Sequence, residues 1–509
     1  MKKIILWCMV TITFAACQQD EIVFNQNNIP VLQNKPSIVT EPAELYNERD
    51  VKNAVLDSLN NEGDFRWTHA DIKMICSGAK VTNLIAVGYK PASFTAGLEN
   101  VIQDINIKDR DWKNVHDELI SFVVRTLDAK GVSLSISLSD LIYEDDQALP
   151  IIIFRTNDTK VITALFNLKN VRYIEPYGFW PYSDDRSSSG CSASTSTVNS
   201  SDISSILPLC YLPWNYNNLN IPSAWNTAEG AGIKIGVIDA GISNSQSLLG
   251  SQFNNGYSNN SRTIALDYTY GTSAYSSCTH GTSMSGIAVG PRNNQNAITG
   301  VAYKSDLLFI RGCDDVVLDA SSELSGVKNA LVRMGNNTTV KIISMSVGTP
   351  FYSSVLYDGV SFAYGKGKMI FAAAGTSFSF TSWWGVIYPA AFSQCIAVTG
   401  VKENGNRCSN CHDGNEVRFT IPMERNVSTN RHGVSLPFSG VTSNYIGGSS
   451  CATAACAGIA ALVWSVNPLL TRTQVYDCMS KTAQYLVPVS KKGFGNPNAA
   501  AAVGMATTL

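Results

Sequence analysis

Three segments of the 509-residue chain each hold one side chain suited to acyl transfer among glycines and other small residues. Asp239 ends the apolar run 235–238, His280 begins the stretch H-G-T-S-M-S-G, and Ser450 lies in G-G-S-S-C-A-T. They follow the order Asp, His, Ser and stand 41 and 170 residues apart. A serine hydroxyl becomes an effective nucleophile when a histidine takes its proton and a carboxylate orients that histidine. The three residues together predict acyl transfer through a serine nucleophile.

Each segment also has a simpler interpretation. Asp239 or Ser450 alone is compatible with an ordinary helix cap, so the prediction rests on the three together. The rival G-x-S-x-G nucleophile motif is excluded because Ala452 takes the place of its last glycine. If Ser450 starts a helix, backbone N–H groups and the positive end of the helix dipole lie beside the developing oxyanion.

Elements that can position these residues follow from the hydrophobic pattern beyond residue 207. Short apolar strands alternate with helices there, which predicts an α/β fold with a doubly wound, mostly parallel sheet. The carboxyl ends of such strands form the functional edge of the sheet. The predicted strands are 233–238, 307–311, 341–347, 369–374 and 395–401, and the predicted helices are 320–335 and 353–365.

A smaller domain is predicted over 76–182. Strands at 81–89, 132–138, 150–155 and 171–174, with helices at 112–127 and 161–166, give the order β-α-β-β-α-β, a split βαβ unit of α+β class. Residues 183–206 are rich in Ser, Thr, Gly and Asp and are expected to form an exposed linker, where proteolytic nicking concentrates.

The N-terminus is typical of an export signal. Lys2 and Lys3 precede a short apolar run that ends in F-A-A-C, so residues 1–16 are predicted to be a signal peptide. The last four residues are similar to a bacterial lipobox, which implies lipidation of Cys17; an ordinary signal with a chance cysteine stays open. We expect an outer-membrane or cell-surface lipoprotein, with the periplasm as the alternative. The polar residues 17–75 are expected to be a tether.

Composition excludes other classes. A net charge of −2 excludes nucleic-acid binding driven by a global positive field, and it also argues against a long disordered polyelectrolyte. No internal stretch reaches the roughly 18 uninterrupted apolar residues of a membrane span. No dense Asp/Glu loop marks a calcium site, so no cofactor is expected, and a structural calcium ion stays open as the alternative.

From about residue 212 onward the chain resembles the subtilisin-like (S8) serine peptidases. The resemblance rests on the flanks of Asp239, His280 and Ser450, on A-A-A-G before Thr376, and on the closing G-x-G-x-x-N-A. It implies a catalytic domain over 207–509, protein or peptide substrates, and a zymogen whose inhibitory propeptide is the 76–182 domain. It also implies that a strand containing Ser346, Val347 and Gly348 binds the substrate.

One departure from the family bears on activity. An asparagine that donates to the oxyanion is replaced by Thr376, so this second donor, beside the backbone of Ser450, is expected to be weaker or to come from Ser377. Loss of such a donor costs about 10²–10³ in rate, which leaves a working protease. The alternative function is a catalytically silent surface binding protein on the same scaffold.

The cysteines raise separate questions. In an oxidising compartment several of the 13 are expected to pair. Cys278 and Cys313 both fall near the expected cleft, which suggests a bridge between them. The run C-S-N-C-H ending at His412 has the spacing of haem attachment, but a disulfide or a chance pair is favoured. His432 is the only further zinc ligand nearby. Cys451 replaces the family's methionine, either as an oxidisable thiol or as a buried inert one.

Overall fold

The computed structural model describes residues 38–128, 137–182, 190–191, 197–376, 385–427, 431–485 and 493–509. Residues 38–182 are called the N-terminal domain and residues 197–509 the C-terminal domain below. The elements of the N-terminal domain are α1 (Glu48–Glu62), α2 (Ile72–Thr82), β1 (Leu84–Tyr89), α3 (Arg110–Asp128), α4 (Leu138–Leu141), β2 (Ile142–Asp145), β3 (Ile151–Arg155), α5 (Thr159–Phe166) and β4 (Val171–Pro176). Those of the C-terminal domain are β5 (Ile203–Ile206), β6 (Cys210–Pro213), α6 (Asn215–Asn218), α7 (Ile221–Ala224), β7 (Lys234–Asp239), β8 (Ile264–Tyr268), α8 (His280–Val289), β9 (Asp306–Arg311), α9 (Ser321–Asn336), β10 (Val340–Met345), α10 (Ser354–Gly365), β11 (Met369–Ala373), β12 (Cys395–Lys402), β13 (Val417–Glu424), β14 (Gly433–Ser435), β15 (Asn444–Ile446), α11 (Gly448–Val466), α12 (Arg472–Thr482) and α13 (Ala499–Ala506).

The C-terminal domain contains a seven-stranded parallel sheet in the order β13-β12-β11-β10-β7-β9-β8. Adjacent residues of one strand fall in different apolar cores: Ile342 packs in the core that holds α8 and α11, and Ile343 in the core that holds α9 and α10. This alternation is what the two-residue period of a strand requires when both faces are covered. The predicted α/β class and parallel sheet are confirmed.

Strand order fixes where the carboxyl ends converge. β7 lies between β10 and β9, and Ile238 is level with Met345 of β10. Chain connections leave this point toward both edges of the sheet, which is where a crevice opens in such folds. Asp239 ends β7 at this position.

One helix in the described part of the chain, α11, is long and apolar enough to cross a membrane, and 83% of the 18-residue window is buried inside the protein. It packs against α8 and the strands β10 to β13. Its apolar character is therefore explained by its position in the core.

The N-terminal domain has a four-stranded antiparallel sheet in the order β2-β3-β1-β4. The strand predicted over 132–138 differs from the structure: 132–136 lie outside the described residues, Leu138 begins α4, and the strand β2 follows at Ile142. Ser137 caps α4, since its hydroxyl accepts from the backbone N–H of Asp140 at 3.3 Å. The last serine of the alternating pattern is thus a helix cap rather than the exposed face of a strand.

The tether predicted over 17–75 is wrong from Glu48 onward, because α1 and the start of α2 lie in this range. Val51, Val55 and Leu59 recur every four residues and are buried in the core of the domain. Charged and amide side chains surround this short apolar stripe in the sequence, so its helical period does not stand out. Cys17 and residues 18–37 lie outside the described residues.

The predicted linker 183–206 extends too far. Asp202 is fully buried and accepts hydrogen bonds from Arg425 Nε at 2.8 Å and Arg431 Nε at 2.6 Å, and β5 pairs with β6. Residues 197–206 therefore belong to the C-terminal domain. Residues 183–189 and 192–196 lie outside the described residues.

Candidate active site

Asp239 and His280 are joined directly at the carboxyl end of β7. His280 Nδ1 lies 2.8 Å from Asp239 Oδ1 and 3.0 Å from Oδ2, and both side chains are buried. The backbone N–H of Ala240 also donates to Oδ1 at 2.8 Å. A carboxylate held in this way fixes the proton of the ring on Nδ1 and leaves Nε2 as the nitrogen that can accept a proton.

The first turn of the helix at His280 is close-packed against the strand end. A Cβ at Gly281 would lie 2.2 Å from the carbonyl oxygen of Gly241, so only glycine fits there. Gly241 itself has φ +123°, a left-handed backbone that favours glycine. These two glycines let the histidine helix approach the loop after Asp239.

Ser450 is the third residue of α11, after an N-cap at Gly447. Backbone N–H groups at this end of the helix have no intrahelical partners, which suits the binding of a developing negative charge. Ser346, just after β10, donates its hydroxyl to the carbonyl oxygen of Ser450 at 3.1 Å. The structure thus ties the predicted nucleophile to the predicted substrate-binding strand.

A pocket of about 60 Å³ lies beside Ser450. Its wall includes all three predicted substrate-binding residues, Ser346, Val347 and Gly348, together with Thr376. Most of the remaining described wall is apolar, so the pocket has the character of a side-chain subsite.

Known proteins of one family are similar in sequence to the C-terminal domain. The Subtilase family model, peptidase S8, matches residues 230–504. The chain belongs to the subtilase family. This subtilase is 29% identical over 294 residues to the M-protease of Shouchella clausii, covering 57% of this chain and 70% of that protein. It is equally 29% identical over 294 residues to Subtilisin Savinase of Lederbergia lenta, covering 57% and 98%. A protease structure from Pseudoalteromonas arctica matches with a TM-score of 0.47 at 22% identity, covering 58% of this chain and 96% of that one.

Thr376 of the subtilase, the residue predicted to be an oxyanion donor, lines the pocket beside Ser450, and its hydroxyl oxygen contacts Ser449. Ser449 donates its backbone N–H to Thr376 Oγ1 at 3.2 Å, and the two hydroxyl oxygens lie 3.0 Å apart. A Cβ at Gly448 would lie 2.7 Å from the same oxygen. The threonine therefore braces the start of the nucleophile helix. Ser377 lies outside the described residues.

Cys451, next to Ser450, is fully buried. Its Sγ lies 3.2 Å from the carbonyl oxygen of Gly447, and burial raises the pKa of the thiol well above its usual value. A thiol that resists ionisation and has no solvent contact is a poor target for peroxide. The oxidisable alternative is wrong, and the buried, inert one describes this residue.

The disulfides of the subtilase differ from one expectation. Cys278 pairs with Cys191, whereas Cys313 is a free, buried thiol, so the predicted Cys278–Cys313 bridge is wrong. No local pattern in the sequence indicates that residues 190–191 lie beside the loop before His280. The backbone N–H of Thr279 donates to the carbonyl oxygen of Cys191 at 3.3 Å beside this bridge. The bridge still braces the loop before His280, with a different partner.

The C-S-N-C-H segment forms a disulfide between Cys408 and Cys411, as favoured over haem. Neither cysteine is then available for a thioether bond. Among the described residues no group of three or more His, Cys, Asp or Glu side chains has the arrangement of a metal site.

Several residues of the pocket were not predicted, and two of them carry large aromatic rings. Trp180, from the end of the N-terminal domain, and His412, after the second disulfide, both line the wall beside Ser450. No local pattern signals either one, since both reach the pocket through long-range packing. Trp180 packs edge-on against Phe351 of the C-terminal domain, with ring centroids 5.7 Å apart.

The N-terminal domain is docked on α9 and α10. Glu175 accepts from the Ser353 hydroxyl at 3.0 Å and from the backbone N–H of Ser354 at 2.9 Å, so it caps the N-terminus of α10. Lys328 of α9 donates to Glu144 at 2.6 Å. Buried charge pairs and a helix cap thus join the two domains.

Proposed function

We propose that the chain is an exported serine endopeptidase that hydrolyses peptide bonds through Asp239, His280 and Ser450. The observation that carries the proposal is the buried contact of His280 Nδ1 with Asp239, on a strand edge shared with Ser346 and the nucleophile helix. This contact leaves His280 Nε2 as the base for the Ser450 hydroxyl.

The reaction proceeds in two halves. Ser450 Oγ attacks the substrate carbonyl as His280 takes its proton, and the backbone N–H groups at the start of α11 stabilise the oxyanion. His280 then protonates the leaving amine, and an acyl-enzyme remains. Water repeats the attack with the same base, and Ser450 is released with the second product. Asp239 stabilises the imidazolium in both halves.

A zymogen is part of this proposal. Trp180 enters the wall of the pocket from the N-terminal domain, and Glu175 caps a helix of the C-terminal domain. These contacts support the expectation that the N-terminal domain obstructs substrates until the predicted linker after residue 182 is cut. Its role as a propeptide rests on this placement.

The decisive experiment uses an activity-based fluorophosphonate probe and a mixed peptide library on the purified chain. We expect the probe to label Ser450 and the library to be cleaved, and Ser450→Ala to lose both while keeping its thermal midpoint. If Ser450→Ala still hydrolyses the peptides, Ser450 is not the nucleophile.

A catalytically silent binding protein is the second candidate function, and Thr376 is the residue that favours it. Its hydroxyl oxygen accepts from the backbone N–H of Ser449 and lies 3.0 Å from the Ser449 hydroxyl oxygen, so the hydroxyl is shared with the protein. The same labelling experiment separates the two functions, since a silent scaffold leaves Ser450 unlabelled and the library intact.

Lipid anchoring through Cys17 belongs to the proposal as well, on the basis of the lipobox-like F-A-A-C run. Metabolic labelling with an alkynyl fatty acid tests it. We expect label on the wild type and none on Cys17→Ala, with loss of the membrane-bound fraction; label on both variants contradicts the assignment.

A further inference from the structure

The crevice at the carboxyl end of β7 is closed at one end by the protein's own main chain. β7 lies between β10 and β9 and ends at Asp239, so beyond this residue the continuations of β10 and β9 face each other across a gap. They meet at Gly348, whose N–H donates to the carbonyl oxygen of Val316 and whose carbonyl oxygen accepts from the N–H of Leu318, both at 2.9 Å. Val317 and Gly348 thereby form a parallel bridge.

The length of this gap follows from the register of the sheet. Ile238, the residue before the end of β7, is level with Met345 of β10, so the gap begins beside Ser346. It ends at Gly348, where the bridge to Val317 lies. At about 3.3 Å per residue this leaves room for roughly two residues of an extended chain.

The hydrogen-bonding groups along the gap differ in whether they are already used. Those of Ser346 and Gly348 face the same edge, because the groups of successive residues in an extended chain alternate between edges. Within the described ranges no backbone group pairs with the main chain of Ser346, whereas both groups of Gly348 are paired. Thr349 pairs with Tyr388 on the other edge. On the edge that faces the gap, an extended substrate can therefore pair with Ser346 but not with Gly348.

One buried carboxylate holds both ends of the loop that closes the gap. Oε1 of Glu323 accepts the backbone N–H groups of Asp314 and Asp315 at 3.1 and 3.3 Å, before the paired residues. Oε2 accepts those of Asp319 and Ala320 at 3.2 and 3.3 Å, after them. Glu323 is 4% exposed. Opening the loop would leave this buried carboxylate without hydrogen-bond partners, which costs free energy.

We propose that Glu323 is a positioning residue that confines substrate recognition on the acyl side to P1 and P2, the two residues that precede the cleaved bond. The P1 side chain enters the pocket lined by Ser346 and Val347, so the acyl side of the substrate lies along this segment. P1 pairs with Ser346, P2 fills the rest of the gap, and P3 meets the pairing of Val316 with Gly348. The inference rests on the proposed peptidase function and adds the length of substrate that the site recognises.

The experiment measures kcat/KM at pH 8 for four acetylated p-nitroanilides that all have leucine at P1 and carry none, one, two or three alanines before it. Leucine matches the apolar side chains of Val347, Ala373 and Ile387 in the pocket wall. Active sites of the purified chain are counted by fluorophosphonate labelling, so that molecules still covered by the N-terminal domain do not enter the rates. We expect kcat/KM of the wild type to rise when P2 is added and to stay constant when P3 and P4 are added.

Glu323→Ala removes the anchor of the loop and is expected to create a gain at P3. Two groups of Gly348 then become available, and one hydrogen bond of ordinary strength corresponds to about tenfold in rate, so the gain should be about tenfold or more. Glu323→Gln keeps one acceptor oxygen, which holds one end of the loop, and is expected to give a smaller gain. Ser322→Ala is the matched control, because Ser322 is exposed on the same turn of α9, and it should keep the wild-type dependence on length.

The outcomes separate this inference from the proposed function. No hydrolysis of any of the four substrates, together with no labelling of Ser450, contradicts the peptidase itself. Hydrolysis by the wild type that keeps rising through P3 and P4 contradicts the role of Glu323 and its loop alone. Labelling of Ser450 without hydrolysis of the Ala-Leu substrate also overturns the inference, since P1 and P2 are all that the site is expected to recognise.

A Glu323→Ala variant with the same dependence on length as the wild type overturns the inference too. If Glu323→Ala fails to fold, the wild-type series and the Glu323→Gln variant still decide.

Discussion

Arg172 and Asp358 form a bidentate ion pair across the interface between the two domains. Nη1 lies 2.9 Å from Oδ2 and Nη2 lies 2.7 Å from Oδ1, and the Tyr173 hydroxyl donates to the same carboxylate at 3.1 Å. Asp358 is almost fully buried. Such a pair holds the N-terminal domain in one orientation, since the buried carboxylate has no solvent to replace the guanidinium.

Arg172→Met tests this pair. The substitution leaves a buried, uncompensated carboxylate, and breaking one side of such a pair costs about 3–5 kcal/mol. We expect a lower thermal midpoint and faster release of the N-terminal fragment from the processed protein, measured by size exclusion. Lys113→Ala, which removes a solvent-exposed pair with Asp117, is the control and should change neither quantity. Equal release rates in both variants contradict the expectation.

Self-cleavage gives a second prediction. If the chain processes its own linker, wild type should appear as two fragments on a reducing gel, and Ser450→Ala as one. The bond between Cys191 and Cys278 adds a readout: a cut after Cys191 leaves the fragments joined until reduction, and a cut before it does not. Fully active wild-type protein that stays intact would argue against a zymogen.

The third prediction concerns the oxyanion. An asparagine at position 376 can donate an amide N–H where the threonine hydroxyl is shared with Ser449. We expect Thr376→Asn to raise kcat, by up to about 10²-fold if the whole interaction is restored, with little change in KM. Stopped-flow and steady-state hydrolysis of one peptide measure this. A kcat that is unchanged or lower contradicts it, and Thr376→Ser is the control that keeps the hydroxyl.

The fourth prediction concerns Glu323 and the pH dependence of the free energy of unfolding. Its carboxylate accepts the backbone N–H groups of Asp314 and Asp315 at 3.1 and 3.3 Å, in the loop that leads to the pocket wall. Burial, with a smaller contribution from the charge of Asp319, raises its pKa to about 7 from 4.5. The folded state binds this proton more tightly than the unfolded state does. The contribution of Glu323 to the free energy of unfolding is therefore complete below pH 4.5 and is lost as pH rises to about 7.

At 1.36 kcal/mol per pKa unit, the free energy of unfolding should fall by up to about 3 kcal/mol across that window. Urea unfolding of wild type and Glu323→Gln at pH 5 and pH 8 measures it. We expect wild type to lose stability relative to Glu323→Gln at the higher pH. A difference between the two proteins that is independent of pH would rule out this assignment.

The fifth prediction concerns the disulfides in an oxidised preparation. Proteolytic peptide mapping without reduction should recover Cys191 linked to Cys278 and Cys408 linked to Cys411, with Cys313 as a thiol. Cys313→Ser should leave this pattern unchanged. A recovered Cys278–Cys313 peptide would contradict the structure.

Several features of the protein follow from the sequence alone. A run such as 235–238 is apolar at every position, which predicts a strand buried on both faces, and Asp239 must then stand at its carboxyl end. Parallel strands bring their carboxyl ends to one edge, so the order of Asp239, His280 and Ser450 along the chain predicts the site. These inferences hold because strand and helix periods are local properties of the chain.

Only the tertiary structure decided the partners of residues that meet across long separations. The pairing of Cys191 with Cys278, the entry of Trp180 into the pocket and the position of His412 against Gly375 all depend on how loops pack on the completed sheet. No period or composition signals such contacts, because each is selected by the shape of the surrounding core and not by its neighbours in sequence.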